Sequence, residues 1–129
     1  MIVRGICCLV PGIMGYTENI RVISIVGRFL EHSRIYRFGK GKREKVYIAS
    51  ADFMTRNTLR RVEVAVPILD DQIRARLDQM FDTMMRDDEK GKILTAKGTY
   101  EDRNLGDIKL DSQELFYAQA YSAAEPHND

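Results

Sequence analysis

Ile20-Arg21-Val22-Ile23-Ser24-Ile25-Val26 is the stretch on which the reading of the fold turns. It is short, β-branched and apolar apart from Arg21 and Ser24, the pattern of a strand buried on both faces in a sheet covered by helices. Ile2–Val10 upstream is almost continuously apolar and reads the same way. Pro11-Gly12 ends that run, and the segment through Glu18 is expected to be a loop.

Downstream, Arg28–His32 reads as a helical turn or short helix, Arg34–Phe38 as strand, Gly39–Arg43 as a basic turn, and Val46–Ala51 as a further strand. Arg61–Val66 alternates, with Val62, Val64 and Val66 on one face and Arg61 and Glu63 on the other. Pro67 closes it. Asp70 or Asp71 can cap a helix whose apolar stripe is Ile73, Leu77, Met80/Phe81 and Met84. A short extended segment around Ile93–Tyr100 follows, and Asp111 with Glu114 resembles a capping pair for a last helix through Ala123. The tail from Glu125 to Asp129 is expected to fray. This order of elements suits one α/β domain, and 129 residues can bury a core without metal or disulfide.

Composition excludes several classes. Hydrophobic residues make up 44% and charged residues 30%, as in a soluble globular protein rather than a disordered one. No apolar run approaches the roughly 20 residues of a membrane span, and no secretory signal opens the chain. Cys7 and Cys8 are adjacent and would point to opposite faces of a strand, so buried reduced thiols in a cytoplasmic protein are expected. Net charge is +1, but its distribution is uneven. Residues 1–61 carry 12 Lys/Arg against four acids, a balance of +8, and residues 62–129 carry 8 against 15, a balance of −7. Such asymmetry fits an anion-binding surface built by the first half, provided sequence halves are also spatial halves.

Four places offer chemistry. Arg4 lies in an apolar run, where it needs an internal carboxylate or a strand end facing a cleft. His32 stands at an element junction ahead of Arg34. It is either a structural histidine or a group for acid/base work or phosphate contact. The spacing His32-Ser33-Arg34 partly matches the phospholipase D signature, with Arg for the usual Lys and Gly39 where an acid is expected, so phosphatidyl transfer is not expected. Ser50, Asp52, Arg56 and Asn57 fall at a strand end, where α/β sheets bind ligands. Arg61 shares a face with Glu63, which would orient or neutralise it, and guanidinium forks suit phosphate. The Gly39–Arg43 turn lacks the spacing of a phosphate-cradling loop and reads as a solvated basic hairpin. One usable histidine and two adjacent cysteines make no zinc site, and no Ser-His-Asp arrangement is readable.

Taken together, Ile2-Val-Arg-Gly-Ile6, Glu18–Val26, Arg28–Tyr36, Val46–Asp52, Arg56-Asn57 and Arg61-Val-Glu-Val64 resemble the C-terminal domain of the bacterial polyphosphate kinase family. The resemblance is strong over the first 70 or so residues and continues more weakly through Gly98-Thr-Tyr100. It implies a phospholipase D-like domain, a mixed β-sheet flanked by helices, spanning 1–129 as a fragment of a longer chain. It implies reversible transfer of the terminal phosphate of ATP to inorganic polyphosphate through a phosphohistidine on a missing upstream domain. By resemblance, Arg4, His32 and Arg61 contact the phosphates, with His32 and Arg61 the catalytic pair. Magnesium is expected in the full-length enzyme with no ligand assigned in this chain. Upstream domains of the same chain, a cytoplasmic homo-oligomer when full length, and an isolated fragment without activity are also implied. Phe53 stands where the family commonly has Trp. Two other readings stay open: a stand-alone polyanion- or RNA-binding module, and a structural or dimerisation domain. A nucleic-acid partner is not expected, since surface aromatics look sparse and no basic–aromatic alternation stands out.

Overall fold

The computed structural model describes residues 1–124; the tail expected to fray lies outside them. The chain forms two compact units, one made of Met1–Leu30 with the chain from Asp82 onward, the other of Glu31–Phe81.

Unit 1 is built on β1 (Ile23–Ile25), the centre of the stretch that decides the fold. Val22, Ile23 and Ile25 are buried, as a doubly covered strand requires. The expected strand Ile2–Val10 shrinks to one parallel bridge, Ile2 with Ile23, secured by Val3 N–H donating to Ile23 O at 2.9 Å. Gly5 then takes φ +145, a conformation side chains rarely adopt, and the ladder stops there. Ile6 beyond it is 95% exposed, and Cys8 is exposed rather than buried. The Pro11–Glu18 loop forms as expected, closed by Thr17, whose Oγ1 donates to Val10 O at 2.7 Å and accepts from Ile13 N–H at 2.9 Å. The turn or helix expected at Arg28–His32 is irregular chain.

Unit 2 is a meander of β2 (Ile35–Phe38), β3 (Lys45–Ala49) and β4 (Ala65–Pro67), all antiparallel. A 3-10 turn, Gly41–Arg43, joins the first two. A helix, α1 (Thr55–Arg60), joins β3 to β4 where the sequence shows only a strand end. Its N-cap is Met54, with no side-chain cap bond, so the local start signal that sequence reading relies on is absent. Arg61 becomes its extended C-cap instead of opening a strand, which leaves β4 at Ala65–Pro67 only.

Helix α2 (Asp71–Met85) contains the boundary between the units. Of the two expected candidates Asp70 caps it, its Oδ1 accepting from the N–H groups of Gln72 and Ile73, each at 2.9 Å. Met84 is buried, whereas Ile73 at the start of the expected stripe is exposed. Back in unit 1, the extended segment near Ile93 is a hairpin of β5 (Gly91–Leu94) and β6 (Tyr100–Asp102), and β5 pairs antiparallel with β1. Asp111 caps α3 (Ser112–Ala124), accepting from Gln113 and Glu114 N–H at 3.0 and 3.1 Å. The class is α/β of the phospholipase D-like kind. Its strands form two three-stranded antiparallel sheets, ordered β1-β5-β6 and β2-β3-β4.

Candidate functional site

In unit 2 the chain leaving β3 is pinned from several sides. Tyr36 Oη donates to Ala51 O at 2.9 Å, and Asn57 Nδ2, on α1, donates to Asp52 O at 3.1 Å. Ser50 N–H donates to Val64 O, and Val64 N–H donates back to Ser50 Oγ, both at 3.0 Å. Ser50 Oγ in turn donates to the Glu63 carboxylate. The loop from Ser50 to Met54 is thus fixed by its neighbours although it lies outside the regular sheet.

Charge is arranged asymmetrically here. Arg34 Nε donates to Asp52 Oδ1 at 2.7 Å, and Arg34 Nη1 donates to His32 O at 3.1 Å. The Arg34 hydrogen bond, with the charges of Arg34, His32 and Arg56 behind it, holds the Asp52 carboxyl below the usual carboxylate range. Glu63, expected to orient or neutralise Arg61, makes no ion pair with it and accepts from Ser50 instead. Asp52 is therefore paired with Arg34, whereas Glu63 keeps its negative charge while accepting from Ser50. Arg56, Arg60 and Arg61 are exposed and make no ion pair among the described residues, and His32 is exposed. An anion arriving at this surface meets guanidinium groups that no direct ion pair occupies.

Of the three residues singled out for phosphate, His32 and Arg61 thus lie in unit 2. Arg4 lies in unit 1, half-buried, with Nη2 3.1 Å from Met84 Sδ on α2. The Gly39–Arg43 turn is exposed, as expected. Among the described residues no three His, Cys, Asp or Glu side chains converge where a metal ion could sit.

The polar centre that the sequence did not reveal is Asp87. Its side chain is fully buried, with Oδ1 accepting from Lys90 and Gly91 N–H, both at 2.9 Å. Its Oδ2 accepts from Ser112 N–H at 2.8 Å and Ser112 Oγ at 2.6 Å. One carboxylate thereby ties the end of α2, the start of β5 and the first turn of α3. Asp88 beside it accepts from Leu110 N–H at 2.9 Å and Leu105 N–H at 3.1 Å. Paired acids followed closely by Gly91 were the only local signal, and surface acids give the same one.

The model of the polyphosphate kinase C-terminal domain 2 family matches residues 1–113, across both units. The polyphosphate kinase of Staphylococcus haemolyticus is 51% identical over 122 residues, 93% of this chain and 17% of that protein. That of Synechocystis is 45% identical over 122 residues, with the same two coverages. The crystal structure of polyphosphate kinase from Porphyromonas gingivalis superposes with a TM-score of 0.84 at 37% identity, covering 95% of this chain and 19% of that one. The chain spans about a sixth of the length of the curated relatives it matches. With a family model over most of its residues and the same fold in a solved member, this chain belongs to the polyphosphate kinase C-terminal domain family.

Proposed function

We propose that this chain is one domain, residues 1–129, of a longer cytoplasmic enzyme that reversibly transfers the terminal phosphate of ATP to inorganic polyphosphate. The observation that carries the reading is the set of exposed cations of unit 2 that no direct ion pair occupies. Asp52 is taken up by Arg34 and Glu63 by Ser50, while His32 and Arg61 stay exposed. Arg61 stabilises the charge that develops on the transferring phosphoryl group, and Arg4 holds a phosphate oxygen. His32 donates a proton to a phosphate oxygen of the leaving group. The phosphohistidine itself lies on an upstream domain. No helix among the described residues is long and apolar enough to cross a membrane. Large side chains stand open to solvent in both units, including Ile6 and Ile108 in one and Val62 and Leu69 in the other. Such surface fits burial against upstream domains and a second subunit of the full-length protein.

The test is a titration of the chain with inorganic polyphosphate, following imidazole signals by NMR. There are two histidines, and His127 serves as the internal reference. A saturable shift confined to His32, with its titration moved to higher pH by the bound anion, supports the reading. Equal, non-saturating shifts of both histidines would sink it.

A further inference from the structure

The basic turn of unit 2 is not used by the proposed phosphoryl transfer, and the fold places it beside aromatic rings. In β2 the side chains alternate. Arg37 points to α2, where it pairs with Asp78 at 3.5 Å and lies over the Phe81 ring at 5.1 Å. Tyr36 and Phe38 therefore point to the opposite face. The register sets Tyr47 across from Tyr36 and Lys45 across from Phe38, on that same face. Tyr36 and Phe38 are nearly parallel, with ring centroids 6.4 Å apart. Tyr47 meets Phe38 at 6.0 Å, and Phe53 meets Tyr36 at 5.8 Å. Phe38 is 58% exposed and Phe53 85%, so the rings form an open platform rather than a core.

Basic side chains border the turn end of the platform, and the acid beside Phe53, Asp52, is paired with Arg34 at 2.7 Å. Lys40, Lys42, Arg43 and Lys45 are exposed and make no ion pair among the described residues. The one acid of this hairpin, Glu44, is held by Arg37 at 3.0 Å and Arg74 at 2.9 Å and so offers no repulsion. Stacking rings bordered by unneutralised cations suit a ligand that carries flat bases on a phosphate backbone. Polyphosphate has no bases to stack, and a duplex hides its base faces. We propose that this face binds single-stranded nucleic acid, its bases stacking on Phe38 and Phe53 and its phosphates meeting the Gly39–Lys45 turn. Its residues include neither His32 nor Arg61, so this inference and the phosphate-site reading can fail separately.

The chain has no tryptophan, so Phe38→Trp installs a single stacking reporter. Titration with an oligoadenylate strand of about eight nucleotides should quench it saturably. ATP, inorganic polyphosphate and an abasic strand of equal length should quench it at least tenfold less effectively. By fluorescence anisotropy of a labelled strand, Phe53→Ala in the otherwise unaltered chain should weaken binding about tenfold, the loss of one stacked base. Lys40→Gln combined with Lys42→Gln should lower the slope of log affinity against log salt by about 0.7 per lysine. Should Phe38→Trp fail to fold by circular dichroism, the anisotropy series decides alone. Equal binding of the abasic strand or of duplex overturns the proposal, as does equal quenching by ATP or no binding of the labelled strand.

Discussion

Asp87 accepts four hydrogen bonds from backbone and hydroxyl donors while fully removed from water. Replacing one of its oxygens by an amide NH₂ sets a donor against a donor. Asp87→Asn should therefore lower stability by about 2–4 kcal/mol, read from urea midpoints. Gly91 is bound to the same centre, and a Cβ there would overlap the Asp87 carbonyl oxygen. Backbone cannot swing aside as a flexible side-chain end can, so Gly91→Ala should cost about 1–3 kcal/mol in the same assay. Arg61 is the contrasting case: it is exposed and has no ion-pair partner among the described residues. Arg61→Ala should move stability by no more than about 0.5 kcal/mol while reducing polyphosphate affinity. A buried structural pair would instead cost about 3–5 kcal/mol when broken, with no link to ligand.

At the scale of elements, ion pairs join helix to strand. Glu44, between the 3-10 turn and β3, takes Arg37 from β2 and Arg74 from α2, and Asp78 of α2 lies within ion-pair distance of both arginines. In unit 1 the Asp88 carboxylate holds the segment from Leu105 to Leu110 to the end of α2. The backbone N–H of Leu110, then that of Leu105, holds the Asp88 carboxyl below its ordinary range against the opposing effect of burial. A depressed folded-state pKa means stability fully present above the unfolded value of about 3.9 and lost as pH falls through the folded value. Asp52, depressed through Arg34, contributes with the same sign in unit 2. Urea midpoints should therefore hold near neutral pH and drop below about pH 4. Asp88→Asn should flatten that acid slope, and an unchanged slope would remove Asp88 from the explanation.

For the whole molecule, the 129-residue chain should show no ATP-dependent polyphosphate synthesis by itself, and sustained synthesis by radiolabel incorporation would refute the division of the site among domains. Family and α/β class were legible without coordinates, as were the loop after Pro11, the helix start at Asp70 or Asp71 and that at Asp111. Each rests on residues close in sequence: a β-branched run, a Pro-Gly pair, a carboxylate two or three residues from the amides it caps. The strand after Ile2 was misread because apolar content says what a segment could bury, whereas Gly5 and the lack of a partner strand decide that Ile6 is exposed. Helix α1 was missed because Met54 supplies no cap. The pairing of Arg34 with Asp52, the diversion of Glu63 to Ser50 and the burial of Asp87 beneath Ser112 join residues 13 to 25 positions apart. The aromatic face of unit 2 likewise depends on the register of β2 on β3. The sequence by itself determined the family, the α/β class and the starts of the helices capped by Asp70 and Asp111, because those signals are local. Only the tertiary structure decided which charges are cancelled and which stay available to a ligand, because that depends on which distant carboxylate each cation meets.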